Sequence, residues 1–90
     1  MGAQIEVPQF LRHLTKGVET ADVRGNTVGE CLHHFVNQYP LTRKLLFDKN
    51  NRLLGHIEIY VNGLSTFPEE LGTPVKEGDS ISMLYLMVGG

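Results

Sequence analysis

The chain ends in Gly89-Gly90, and the group there that could do chemistry is a main-chain carboxylate rather than a side chain. An α-carboxylate has an ordinary pKa of ~3.5, so it is ionised at neutral pH and is a poor electrophile until another agent activates it. What the two glycines add is access: with no Cβ, an extended end of this kind enters a tunnel too narrow for a side chain. At a glycine frequency of about 7%, a Gly-Gly end arises by chance in roughly one chain in two hundred. Its meaning therefore depends on what stands before it, which is Ser80-Ile-Ser-Met-Leu-Tyr-Leu86. Ser82, Leu84 and Leu86 alternate with Ile81, Met83 and Tyr85, and both faces carry apolar groups, which predicts a central and largely covered strand. The expected division is a folded body over residues 1–86 and a flexible tail over residues 87–90. In that tail Met87, Val88 and Gly89 would thread into a partner, and Gly90 would present the reacting carboxylate about 13 Å beyond the sheet.

Side chains with chemistry of their own are few. Adjacent His33 and His34 point about 100° apart on a helix, unlike the i, i+4 pair that clasps a metal, so no metal site is expected. Cys31 falls in an apolar stripe and reads as a small buried hydrophobe, not a nucleophile. His13 and His56 have no acid partner at useful spacing, no Ser/His/Asp or paired-carboxylate arrangement can be argued, and Gly-x-Gly-x-x-Gly is absent. The chain is expected to hold no catalytic kit and no bound cofactor.

The elements that must position the tail follow from local signals. Ala3, Ile5 and Val7 alternate with Gln4 and Glu6 in a first strand running toward Gln9, and Phe10, Leu11 and Leu14 begin a loop that packs back on the core. Lys16-Gly17 turns the chain into a second strand, 19–24, forming an antiparallel hairpin with the first. Thr27 and Glu30 have the spacing of a capping box, and Val28, Cys31, Leu32, Phe35, Val36 and Tyr39 then recur at helical steps until Pro40 ends the helix. Residues 43–47 suit a short helical turn, and 53–61 a third strand with Ile57, Ile59 and Val61 on one face. Asn62-Gly63 is a strong hairpin signal, returning the chain through a short strand at 64–67. A loop over 68–74 with room for one tight helical turn leads to Glu77-Gly78-Asp79 and the last strand. Five strands and one main helix predict an α+β two-layer fold, with the last strand beside the first at the middle of a mixed sheet.

Ninety residues make one domain, and 41% hydrophobic with 20% charged residues is ordinary globular composition. A net charge of −2 with scattered Lys and Arg gives no electrostatic footprint for nucleic acid. One cysteine excludes an intramolecular disulfide, the first residues show no secretory signal pattern, and no apolar run approaches the ~20 residues of a membrane helix. A cytoplasmic protein, monomeric in isolation and without a membrane partner, is expected.

Four features together resemble the ubiquitin-like sulfur carriers of the ThiS/MoaD family: a helix opening at Asn26-Thr-Val-Gly29 after a hairpin, a third strand ending Ile59-Tyr-Val-Asn-Gly63, the Glu77-Gly-Asp-Ser-Ile81 turn, and Gly89-Gly90 at the end. The resemblance covers nearly the whole length and is nearest to the carriers of cysteine or other amino-acid biosynthesis. It implies a β-grasp fold. It also implies that a ubiquitin-activating-type enzyme adenylates Gly90 with ATP, and that sulfur then displaces AMP to leave a thiocarboxylate for a sulfur-accepting biosynthetic enzyme. The chain would be a co-substrate in this scheme. Leu84, Leu86 and Tyr85, beside the tail, would be the docking residues. Two related roles share the activation step: the small subunit of a molybdopterin synthase, and a protein modifier joined through Gly90 to lysines, for which Lys16, Lys44, Lys49 and Lys76 would be candidate chain-forming sites.

Overall fold

Strict alternation makes the first strand one-sided: β1 (Ala3–Glu6) buries Ala3 and Ile5 and leaves Gln4 and Glu6 exposed in the computed structural model, which describes residues 2–86. It pairs antiparallel with β2 (Thr20–Val23), in register from Ala3 opposite Val23 to Glu6 opposite Thr20. The segment between them is more ordered than the loop expected from sequence. Pro8 opens a single helical turn, α1 (Gln9–Arg12), whose Leu11 is wholly buried while Phe10 and Leu14 pack partly against the core. Lys16 and Gly17 take φ of 57° and 80°, the left-handed turn into β2.

The main helix, α2 (Val28–Gln38), starts where the capping box places it. Thr27 Oγ1 accepts from Glu30 N–H at 3.1 Å. The return bond is displaced by one residue, because Glu30 Oε1 accepts from Asn26 N–H at 2.8 Å rather than from Thr27. Val28, Cys31, Leu32, Phe35 and Val36 form the buried stripe. Tyr39 leaves helical geometry before Pro40, which begins a 3₁₀ turn over Pro40–Thr42 leading into α3 (Arg43–Leu46). Gly29 lies so close to the Glu70–Gly72 turn that a Cβ there would meet Leu71 O at 3.0 Å, so its small size serves helix–loop packing.

The third strand is shorter than its apolar run: β3 is Ile57–Val61, not 53–61. Asp48 diverts the earlier part, its carboxylate accepting from Asn50 N–H at 2.7 Å and Arg52 N–H at 3.0 Å, so Leu53 bridges back to Phe47 instead of joining the sheet. Asn62 and Gly63, at φ 52° and 83°, turn the chain into β4 (Leu64–Ser65), two residues where four were expected. The last strand, β5, is Ser80–Tyr85.

The sheet order is β2-β1-β5-β3-β4, with β5 central, parallel to β1 and antiparallel to β3. The stripe of α2 packs with Ile5, Val23, Ile57, Ile59, Ile81 and Met83 in one continuous core. Each fully buried Ile, Leu or Phe there contributes about 1.5–3 kcal/mol. One expectation is corrected. β5 is central but not covered along its length, because it pairs with β1 only at Ser80 and Ile81, where β1 and β5 run together, and burial falls away after Met83. Its apolar second face reflects exposure rather than a second layer.

Candidate functional site

The site is the exit of the chain from the sheet. Its foundation is the start of β5, where two turns are sewn together through Asn62. The amide of Asn62 donates to Asp79 Oδ1 at 3.0 Å, its side-chain oxygen accepts from Ser80 N–H at 2.9 Å, and its own N–H donates to Ser80 O at 2.7 Å. Asp79 Oδ2 also accepts from Lys76 N–H at 2.8 Å. That backbone bond first, and the Asn62 amide second, hold the Asp79 carboxyl below the usual carboxylate range. Both residues were legible only as turn formers; no local signal tells that they bind one another.

From this anchor β5 runs along β3 in unbroken antiparallel register, from Ile81 opposite Val61 to Tyr85 opposite Ile57. Ile81 and Met83 are buried, and then Leu84, Tyr85 and Leu86 emerge at 51%, 43% and 42% exposure. All three residues expected to dock a partner are thus accessible, and they are contiguous. Leu84 lies opposite Glu58, whose carboxylate accepts from Ser65 Oγ at 2.9 Å. Tyr85 is less free than its exposure suggests. Its ring meets Phe10 edge-on with centroids 4.9 Å apart, and His56 at 4.6 Å on another side. Leu86 N–H donates to His56 O at 2.6 Å. Sequence reasoning gave Phe10 and His56 no part in this end, since they reach it only through the tertiary fold. The proposed threading residues Met87, Val88 and Gly89, and Gly90 itself, lie outside the described residues.

The remaining candidates are scattered. Cys31 is fully buried, its Sγ 3.8 Å from Gly25 O; burial first, and the nearby Glu30 charge second, raise its thiol pKa, which disfavours the thiolate. His33 stacks on Phe47 at 5.1 Å, and His34 turns away to accept Arg24 N–H on Nδ1 at 2.7 Å. His13 is exposed. Among the described residues no three His, Cys, Asp or Glu side chains converge in a way that could hold a metal, and no helix is long and apolar enough to cross a membrane. Lys16, Lys44, Lys49 and Lys76 are all exposed.

Comparison with known proteins agrees with this geometry. The model of the ThiS family matches residues 5–90. The sulfur carrier protein CysO of Mycobacterium tuberculosis is 28% identical over 93 residues, covering all of both chains. Among solved structures, a chain in the Amycolatopsis orientalis BexX/CysO complex superposes with a TM-score of 0.87 at 27% identity, covering 99% of this chain and 100% of that one. SAMP1 from Haloferax volcanii gives 0.80 at 26% identity, covering 98% of each. The five-stranded mixed sheet with its helix across one face is accordingly the β-grasp fold, and the chain belongs to the ThiS family.

Proposed function

We propose that this protein is a sulfur carrier of amino-acid or cofactor biosynthesis, a protein co-substrate that passes between enzymes and catalyses nothing itself. The observation that carries the reading is the family match extending through Gly90, on a chain whose described part ends in an accessible Leu84-Tyr85-Leu86 exit. A ubiquitin-activating-type enzyme would bind this exit and join the Gly90 carboxylate to the α-phosphate of ATP, releasing pyrophosphate. The acyl adenylate supplies the leaving group that the free carboxylate lacks. Hydrosulfide then attacks the carbonyl carbon, AMP departs with the electron pair of the broken C–O bond, and the remaining S–H proton is lost to solvent. The product is a thiocarboxylate, whose sulfur is the nucleophile for an accepting biosynthetic enzyme.

Similarity to CysO favours the amino-acid branch of such chemistry, and the CysO of Amycolatopsis, held in a complex with BexX, supports a role exercised through a partner protein. The reading is tested by incubating the protein with its adenylating enzyme, ATP and sulfide and recording intact mass. The wild type should gain about 16 Da, the exchange of oxygen for sulfur, and the variant lacking Gly90 should gain nothing while melting at nearly the same temperature. A sulfur-loaded truncated chain would refute it. A second reading, conjugation of Gly90 to protein lysines, is favoured by the structural similarity to SAMP1, one of the small archaeal modifier proteins. It shares the adenylation step and differs in the nucleophile.

A further inference from the structure

We propose that Phe10 and His56 are positioning residues of the carrier end: with Tyr85 held between them, they set the direction in which the chain leaves the sheet at Leu86. The consequence for activation rests on the sulfur-carrier reading; the mechanical claim does not. At its start β5 is gripped by β1 on one side and β3 on the other, but the β1 chain turns away at Pro8 into α1, and only β3 follows β5 to Tyr85. A strand end with one neighbour can swing about that neighbour. Phe10 lies in the segment that turns away, two residues after Pro8. It is carried by the α1 turn, which is pinned by the fully buried Leu11 and by Leu11 N–H donating to Pro8 O at 2.9 Å, and its ring meets Tyr85 edge-on at 4.9 Å.

His56 holds the opposite side twice. Its ring packs on Tyr85 at 4.6 Å and its carbonyl takes the Leu86 N–H at 2.6 Å, one residue past the end of the strand. Tyr85 shares the face of buried Ile81 and Met83, yet is 43% exposed, so the two rings do for it what core packing does for the residues before it. Order at the exit matters because a partner must take Leu84 and Leu86 together: an exit that is loose in the free protein has to be ordered on binding, which weakens docking rather than the chemical step. Tyr85 thereby becomes an internal brace, and contact with the partner falls to Leu84 and Leu86.

The test uses Phe10→Leu, which keeps apolar volume, His56→Ala, which keeps the backbone hydrogen bond, and their combination, each with its melting temperature recorded. Two readouts are taken: backbone 15N order parameters at Leu84, Tyr85 and Leu86 in the free protein, and the carrier's KM and kcat in ATP–pyrophosphate exchange by its adenylating enzyme. The expected result is a loss of order at Tyr85 and Leu86 in each variant, with KM raised roughly three- to tenfold and kcat within about twofold, and with His56→Phe restoring both. Unchanged order parameters in the double variant overturn the proposal, as does an unchanged KM despite lost order. If the wild type supports no exchange at all, the sulfur-carrier reading falls, while the order parameters still decide whether the rings hold the exit.

Discussion

Residues Ser80 to Met83 and Leu84 to Leu86 follow one another along the same line of chain, yet they are built on different terms. The first stretch has hydrogen-bonded neighbours on both sides at Ser80 and Ile81, buries Ile81 and Met83, and is fastened at its head by the Asn62–Asp79 stitch. The second keeps only β3 as a strand neighbour and holds its large apolar side chains at the surface. On the carrier reading proposed above, stability is assigned to one end of a single strand and presentation to the other. Because the strand is rigid and its base is deep in the core, apolar groups at its tip can be spared for a partner without loosening the fold. Leu84 and Leu86 keep about half of their surface in water, and on the proposed carrier reading that surface is what a partner covers.

This contrast is breakable by substitution. Ile81→Ala, at a wholly buried position of the central strand, should cost about 2–5 kcal/mol and lower the melting temperature severely, as read by thermal or denaturant unfolding. Asn62→Ala removes both side-chain bonds of the stitch and places a Cβ residue without Asn's tolerance at φ 52°, for a loss of about 1–2 kcal/mol; Asn62→Gly, which keeps the conformation, should lose less. Asp79 gives a pH signature. Its folded pKa is lowered, so its contribution is present above the ordinary carboxylate range and is lost as pH falls through the lowered folded value. Melting temperatures measured down the acid limb should therefore converge for wild type and Asp79→Asn, with the wild type higher at neutral pH. At the other end of the strand, Leu84→Lys, which places a cation opposite Glu58, should change unfolding free energy by no more than about 1 kcal/mol, while weakening binding to the adenylating enzyme about tenfold or more in titration calorimetry. A collapsed fold in that variant would erase the distinction between the two ends.

Much of the fold was legible because its signals are local. Thr27 with Glu30 marked the helix start, Asn62-Gly63 the hairpin, and the alternation of Ile57 and Ile59 the face of β3, each needing only neighbours in sequence. What was not legible depended on which segments meet. Leu84 and Leu86 read as evidence of a covered strand, since apolar character alone cannot distinguish a side chain under a second layer from one held out for a partner. Leu53 and Leu54 looked like strand because what diverts them is a set of hydrogen bonds, those of Asp48 with Asn50, Asn51 and Arg52 and that of Leu54 N–H to Leu46 O, and not a pattern. The ring contacts of Tyr85 join the first helical turn, the residue before β3 and the last strand, three places that no periodicity connects. The family was legible from Gly89-Gly90 and the motifs before it, not from any constellation of side chains, and the family match bears out that resemblance; the carrier chemistry stays a proposal built on it.

A sulfur-loaded terminus is read directly from the intact mass of the protein purified from its own cells, taken before and after treatment with a thiol-alkylating reagent. A sulfur carrier yields a species about 16 Da heavier than the sequence mass, which gains an adduct mapped to Gly90 and distinct from any on Cys31. Protein of unmodified mass, with Gly90 recovered only in isopeptide linkage to lysine, would contradict it.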